Sequence, residues 1–403
     1  MSVVTNNFLR FQPLLLDEDS DDDDMRSTVS SLFSSPSDVD MSSGTSYTTD
    51  SNRSDSPAPS VLSMTSSMEA ATFKIEYGRG INSASDVYSL PADDEELDRL
   101  DRQHLLFIQV MGKYPRVVRD YLTPAFPGDL RNVLDLGCGS GTWIMEIARD
   151  FPNCDAVAVD LVPMQSPDMP FNCRSEVDDI NLGLQHFYDD FDFVHARLIS
   201  SGIKDFPALI HEIARTLKPG GYVELMEFDF HAYNRRLQQI SVPVGVLEQP
   251  WWPRWLAYAE TAVNQRGGTP DAANHLQEWV ERHGAFDEVI YQDHWIPTAP
   301  WCKQEPWKHW GDEMREDIYA FMASGRPLLL GVGVPESVVD ELEEKATEEL
   351  GGARHGTYIR LQRVIARKRQ GWIAPEVILE QERLRRQQEE EAQQQQSFQA
   401  MTI

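Results

Sequence analysis

Positions Leu97, Leu100, His104, Ile108 and Met111 recur at three- and four-residue steps within Glu95–Tyr121 and predict one amphipathic helix. Asp93 followed by Glu96 supplies a capping-box-like start, and Pro124 with Pro127-Gly128 closes the segment. Beyond it, two periods alternate. Asn132–Leu136, Ala156–Val159, Asn172–Val177, Phe191–Ala196 and Tyr222–Phe228 are short apolar runs and predict strands. Between them, Trp143, Ile144, Ile147, Ala148 and Phe151 share one face of a helix over Thr142–Phe151. Leu209, Ile210, Ile213, Ala214 and Leu217 do the same over Asp205–Leu217, and Lys218-Pro219-Gly220-Gly221 stops that helix. Near-continuous apolar strands alternating with helices predict an α/β fold with a parallel sheet covered on both faces.

The pattern loosens over residues 229–355, where eight of the ten tryptophans fall between Trp251 and Trp310. We expect a cap or substrate-side elaboration here, its aromatic side chains either walling an apolar pocket or sealing a core. Phe286–Ile296 and Tyr358–Ala366 predict two further strands, the second leading into Arg367-Lys368-Arg369. That basic run suits either nuclear import or a solvated terminus. Glu380–Gln396 is Gln/Glu-rich and reads as a solvated helix or as disorder within a C-terminal tail, residues 369–403.

The first 70 residues have another character. They contain 18 serines and an acidic run from Asp17 to Asp24, and too little apolar surface to offset backbone ordering, so we expect a disordered tail. Ser20, Ser37 and Ser54, each near an Asp, are candidate phosphorylation sites, although such tails also serve solubility alone. This segment holds 12 acidic and 3 basic side chains of a chain whose net charge is −29. The remaining −20 opposes direct binding to nucleic-acid backbones. Four scattered cysteines, Cys138, Cys154, Cys173 and Cys302, form no CxxC pair, so we expect reduced thiols, no structural metal and an intracellular protein, cytoplasmic or nuclear. The apolar patch Phe8–Leu16 is interrupted by Arg10 and Gln12, and no run approaches the ~18 residues of a membrane span.

The densest chemical signal is Val133-Leu134-Asp135-Leu136-Gly137-Cys138-Gly139-Ser140-Gly141-Thr142, a strand running into glycines and then a helix. Such a turn brings backbone N–H groups close to a nucleotide at the strand's carboxyl end. The dinucleotide spacing is not met, because Thr142 stands at its third position and Gly141 is extra. Asp135 discriminates further. A carboxylate beside the loop opposes a pyrophosphate but suits a ligand that carries an ammonium and a sulfonium. Asp160, at the end of the second strand, can accept hydrogen bonds from both ribose hydroxyls, and Glu176-Val177-Asp178-Asp179-Ile180, after the third, offers a carboxylate for an adenine amino group and an apolar neighbour to cover the ring.

Through Asp135-x-Gly137-x-Gly139-x-Gly141, Asp160, Asp179 and Leu217-Lys218-Pro219-Gly220-Gly221, the chain resembles the class I S-adenosylmethionine-dependent methyltransferases. Tyr88-Ser-Leu-Pro91, Glu95-x-x-x-Arg99-Leu100-Asp101-x-Gln103-His104, Phe193-Val194-His195-Ala196-Arg197 and Trp301…Pro306-Trp307-Lys308…Gly311 make it similar to the LaeA-type fungal members. The resemblance covers about residues 85–368. It implies a Rossmann-like class I methyltransferase fold: a mostly parallel seven-stranded sheet with helices on both faces, a helical and aromatic cap, and a methyltransferase domain over residues 71–368 with its cofactor-binding core at 131–228. It also implies that S-adenosyl-L-methionine is the cofactor. Asp135 and the backbone of Gly137, Cys138 and Gly139 would hold the methionine part, Gly141 would complete the loop, and Ala196 would lie beside the methionine amine. Asp160 would take the ribose, and Asp179 with Ile180 the adenine.

Methyl transfer from a sulfonium needs alignment and dryness more than a dedicated catalytic group. For an acceptor with a proton to lose, His195 is the nearest candidate base by topology, its other reading being a pocket-shaping histidine; Glu227 shares that ambiguity. Cys138 is either a redox-sensitive thiol or a small side chain that fits the loop. Three functions follow: a methyltransferase acting on a secondary metabolite or another small-molecule or protein acceptor, a nuclear LaeA-type regulator working with velvet-family partners, or a non-catalytic scaffold.

Overall fold

Strand β3 (Arg131–Leu136) is buried along its last four residues, and its side chains alternate between two cores. Val133 faces one side with α3 (Thr142–Asp150), while Leu134 and Leu136 face the other with α4 (Phe206–Thr216). The same alternation runs through β4 (Cys154–Asp160) and β6 (Phe191–Arg197), as a parallel sheet with helices on both faces demands. The structure, a computed structural model, describes residues 72–401 apart from Gln165 and Pro167, with side chains through residue 393. The acidic, serine-rich segment 1–70 and its candidate phosphorylation sites lie outside the described residues.

The sheet order is β5-β4-β3-β6-β7-β10-β8, with β9 on the other side of β10. Here β5 is Cys173–Val177, β7 is Leu217–Phe228, β8 is Tyr233–Asn234, β9 is Phe286–Pro297 and β10 is Thr357–Lys368. The strands β5, β4, β3, β6 and β7 pair in parallel, whereas β10 pairs antiparallel with β7, β8 and β9. The sheet therefore has eight strands where seven were expected, the extra one being the two-residue β8, which pairs with the start of β10. β7 also begins at Leu217, not Tyr222: Pro219 and Gly220 form an irregularity between the pairs Phe191–Leu217 and Phe193–Tyr222. A separate hairpin, β1 (Phe73–Glu76) with β2 (Arg79–Asn82), precedes the first helix.

The helix expected over Glu95–Tyr121 is two helices, α1 (Asp94–Met111) and α2 (Arg116–Leu122). Gly112, with φ +79°, caps the first, and Pro115 caps the start of the second. The periodic positions end at Met111, all within α1; Gly112 takes a left-handed φ just beyond them and Pro115 has no N–H to carry that helix on, so the chain restarts as α2. Asp93 accepts from the Glu96 backbone N–H as the capping pattern implies.

Of the later elements, α6 (Ala272–Arg282) packs on the α4 side of the sheet. Helices α5 (Trp251–Arg266), α7 (Trp307–Gly331) and α8 (Glu336–Gly351) build another apolar cluster with α1 and β10. Trp252 and Trp255 stack within it, fully buried. The basic run that ends β10 is tied into the fold at each residue, although Arg369 is itself exposed. Lys368 is buried and donates to Asp189 and to the Leu217 carbonyl, Arg367 pairs with Glu288 at 2.8 Å, and Arg369 donates to the Phe286 carbonyl. α9 (Pro375–Met401) is a helix, and its side chains from residue 380 to 393 are exposed. Among the described residues no helix is long and apolar enough to cross a membrane.

Candidate functional site

The carboxyl ends of the parallel strands β5, β4, β3 and β6 lie along one edge of the sheet, and their following loops meet in one cavity. From β3 the chain turns through Gly137 and Gly139, whose φ angles of +70° and +56° suit glycine. A Cβ on Gly139 would stand 2.9 Å from Leu100 of α1, so the loop and the helix approach as closely as they do only without a side chain there. The N–H groups of Gly137 and Cys138 donate to the Val159 carbonyl, tying the loop to β4.

Asp160 ends β4 and turns back on this loop: its carboxylate accepts the Gly139 N–H at 2.8 Å. Burial pushes its acid up to about 6, opposed by the hydrogen bonds from Gly139 and Val162. Asp179 caps the short helical turn Ile180–Leu182 and accepts from the backbone and side chain of Asn181. Asp178, its neighbour in the same acidic stretch, lines the cavity beside it.

Of the residues expected to bind cofactor, Asp135, Gly137, Cys138, Gly139, Asp160, Asp179 and Ile180 lie in the cavity wall. Two do not. Gly141 sits at the N-cap of α3 with φ +75°, where a Cβ would collide with the sulfur of Met164, so it shapes the turn from behind. Ala196 packs its side chain into the core on the α4 face. The Cys138 thiol is pushed well up by burial, which leaves little thiolate for oxidation.

His195 and Asp135 face each other across the β3–β6 register, with His195 Nδ1 and Asp135 Oδ1 2.8 Å apart. The imidazole also stacks on Trp143, with ring centroids 3.7 Å apart and the planes nearly parallel. These contacts hold the ring fast in the wall. Glu227, near the end of β7, is 1% exposed. Its Oε1 accepts from the N–H groups of Ile199 and Ser200, and its Oε2 has no hydrogen-bond partner among the described residues. Burial pushes this carboxyl up to about 8.

Beyond Glu227 the cavity becomes apolar, walled by Phe107, Phe228, Phe230, Trp252, Phe321 and Ile359. Trp252 thus serves both core and wall, while Trp255 belongs to the core alone. Sequence reasoning missed the tie that closes this chamber. Arg99 of α1 is gripped by both oxygens of Glu96, at 3.0 and 2.6 Å, and by Asp317 of α7 at 2.9 Å. The repeated acid and arginine positions in α1 were visible in the sequence; their partner 218 residues away was not.

The charge of the wall tests which cofactor fits. Its acidic groups include Asp135, Asp160, Asp178, Asp179 and Glu227, whereas Arg99 and Arg197 are its guanidinium groups, and Arg99 is spent on Glu96 and Asp317. A pyrophosphate would meet carboxylates here, while a cationic nucleoside finds acceptors for its hydroxyls and its charge. The residues fit S-adenosylmethionine.

Comparison with known proteins agrees. Residues 110–285 match a family model described as a methyltransferase domain. Over 296 residues the chain is 47% identical to the secondary metabolism regulator laeA of Coprinopsis cinerea, covering 73% of each protein. The chain belongs to the LaeA-like methyltransferase family. It is 31% identical to the methyltransferase pytC of Aspergillus terreus, over 70% of this chain and 85% of that one. It is 30% identical to the protein-methionine methyltransferase laeA of Emericella nidulans, over 63% of this chain and 64% of the relative. Like its family, the chain is an S-adenosylmethionine-dependent methyltransferase of α/β fold, related to fungal proteins of secondary metabolism and its regulation.

Proposed function

We propose that this LaeA-like protein methylates an acceptor with a largely apolar body, a secondary metabolite or a protein side chain, received in the chamber between α1, α5 and α7. The observation that carries this reading is a single cavity running from the glycine loop at β3 to the aromatic walls of that chamber. Asp160 would hold the ribose, Asp179 and Ile180 the adenine, and Asp135 with the loop backbone the methionine part. The bound cofactor supplies a methyl group on a cationic sulfur, open to in-line displacement.

The protein's own residues then have three tasks. Glu96, Arg99 and Asp317 keep the chamber closed over the loop, and the aromatic walls exclude water. His195, clamped by Asp135 and Trp143, shapes the wall beside the cofactor. Glu227 handles a proton: with Oε1 occupied by two N–H donors, the proton of the neutral acid resides on Oε2. Once ionised, that same oxygen can accept a proton from a hydroxyl or amine acceptor.

The test is calorimetric titration of the full chain with S-adenosylmethionine and separately with NAD, repeated on Asp160→Ala. Saturable binding of the first ligand only, weakened on the order of 10-fold or more by the substitution, is expected. Binding of NAD alone, or of neither ligand, overturns the reading, the latter in favour of a scaffold.

The reading extends to regulation, which the name of the Coprinopsis relative supports. In that role the protein works in the nucleus or cytoplasm with velvet-family partners, and its negative charge directs any effect on genes through other proteins. Localisation combined with pull-down tests this, since recovery without transcriptional regulators leaves the metabolite role alone.

A further inference from the structure

Arg197 is a cation in the cavity wall that no carboxylate among the described residues pairs with. It ends β6, two residues beyond His195. Its Nη2 donates to His104 Nδ1 at 3.2 Å, and its guanidinium lies over the Phe107 ring, 5.5 Å from the centroid. His104 faces Glu146 with its other nitrogen at 3.1 Å, so the network assigns the His104 proton to Nε2 and makes this imidazole a neutral acceptor toward Arg197. Asp135, Glu224 and Glu146 act on Arg197 only through their field; among the described residues no carboxylate forms an ion pair with it. Arg99, the other guanidinium in the wall, binds two carboxylates. A guanidinium presents five N–H donors in a planar fork that matches a carboxylate, and burying one without an anion is costly unless a ligand brings it.

The sheet order says which ligand group would arrive. Asp179 follows β5, Asp160 ends β4, the glycine loop follows β3 and Arg197 ends β6, and these four strands are neighbours in that order. A ligand laid across this edge with its base near Asp179 and its ribose on Asp160 carries its amino-acid end over β3 and β6. There Asp135 and Arg197 offer one negative and one positive group, the complement of an amino acid's ammonium and carboxylate.

We infer that Arg197 receives the α-carboxylate of the methionine moiety of S-adenosylmethionine and makes the site selective for the intact amino acid. The inference rests on the cofactor assignment of the preceding subsection. Arg197 is a binding residue here, positioned by neutral His104, and takes no part in the displacement.

The experiment is calorimetric titration of the full chain with S-adenosylmethionine and with its decarboxylated analogue, on the native sequence, Arg197→Met and Arg197→Lys, with thermal melts as a folding control. The native protein should bind the carboxylate-bearing ligand on the order of 10- to 100-fold more tightly than the analogue. Arg197→Met should lose that preference by weakening the first ligand while leaving the analogue nearly unchanged, and Arg197→Lys, a charge without the fork, should fall between. Equal affinity of the native protein for both ligands, or an equal loss of both in Arg197→Met, overturns the inference while leaving the cofactor assignment standing. If neither ligand binds the native protein, the cofactor assignment fails and this inference with it. Should Arg197→Met not fold, the native comparison and Arg197→Lys decide the matter.

Discussion

Glu227 shows how one side chain couples the site to stability. Burial in the folded protein pushes its carboxyl up to about 8, against 4.5 ordinarily. Between those values the unfolded chain has released a proton that the folded chain keeps, so stability falls as pH rises across that window. Each pH unit of the gap is worth at most about 1.4 kcal/mol. Glu227→Gln retains an acceptor oxygen for Ile199 and Ser200 but cannot ionise. We expect its melting temperature to exceed the native value by about 5 °C at pH 8, with the gap closing toward pH 5. Melts at both pH values check this; a difference that does not change with pH would mean that Glu227 is not neutral in the fold.

At the scale of elements, α1 does two jobs: Leu100 closes on Gly139, and Arg99 reaches Asp317 of α7. Asp317 also accepts from Gln103 at 3.0 Å, so two α1 side chains hang on one carboxylate. Asp317→Ala strips both bonds but leaves Arg99 its Glu96 partner. A loss of about 2 kcal/mol is expected, seen as a melting temperature lower by several degrees, together with weaker S-adenosylmethionine binding as the helix loosens over the loop. Arg116→Ala, which removes an exposed pair with Asp120 in α2, should move neither quantity appreciably. Equal effects of the two substitutions would remove the special status of the α1–α7 tie.

For the whole molecule, the question is which parts the site depends on. α9 is anchored near its start, where Glu376 meets Arg215 at 2.7 Å and His211 at 3.0 Å, while its side chains from residue 380 to 393 stand in solvent. Deleting residues 380–403 should therefore shift the melting temperature by about 1 °C or less and leave cofactor affinity unchanged. A drop of several degrees in the truncated protein would show that the helix docks on the rest of the chain. The net charge of −29 sets a further expectation at this scale, that no tight complex with DNA forms in a mobility-shift assay at physiological salt.

The sequence by itself determined the alternation of β3 through β7 with its helices, because each element's burial is written in contiguous residues at period 2 or 3.6. It also determined the glycine turn and the carboxylate at the end of β4, since a strand, a turn that only glycine tolerates and a helix start are all local. Gly141 and Ala196 were legible as members of the motif, but only packing decided that one backs the turn against Met164 and the other faces the core. The two-helix break at Gly112 falls one residue beyond the last periodic position, Met111, where the apolar period no longer reports on the backbone. Tertiary structure alone decided the fates of the charged groups. Lys368 reads as solvated until Asp189 and the Leu217 carbonyl enclose it, and Arg99 acquires Asp317 from far along the chain. Arg197 alone of these faces the cavity with no ion pair among the described residues. A charge's worth depends on what surrounds it in three dimensions, and no local pattern carries that information.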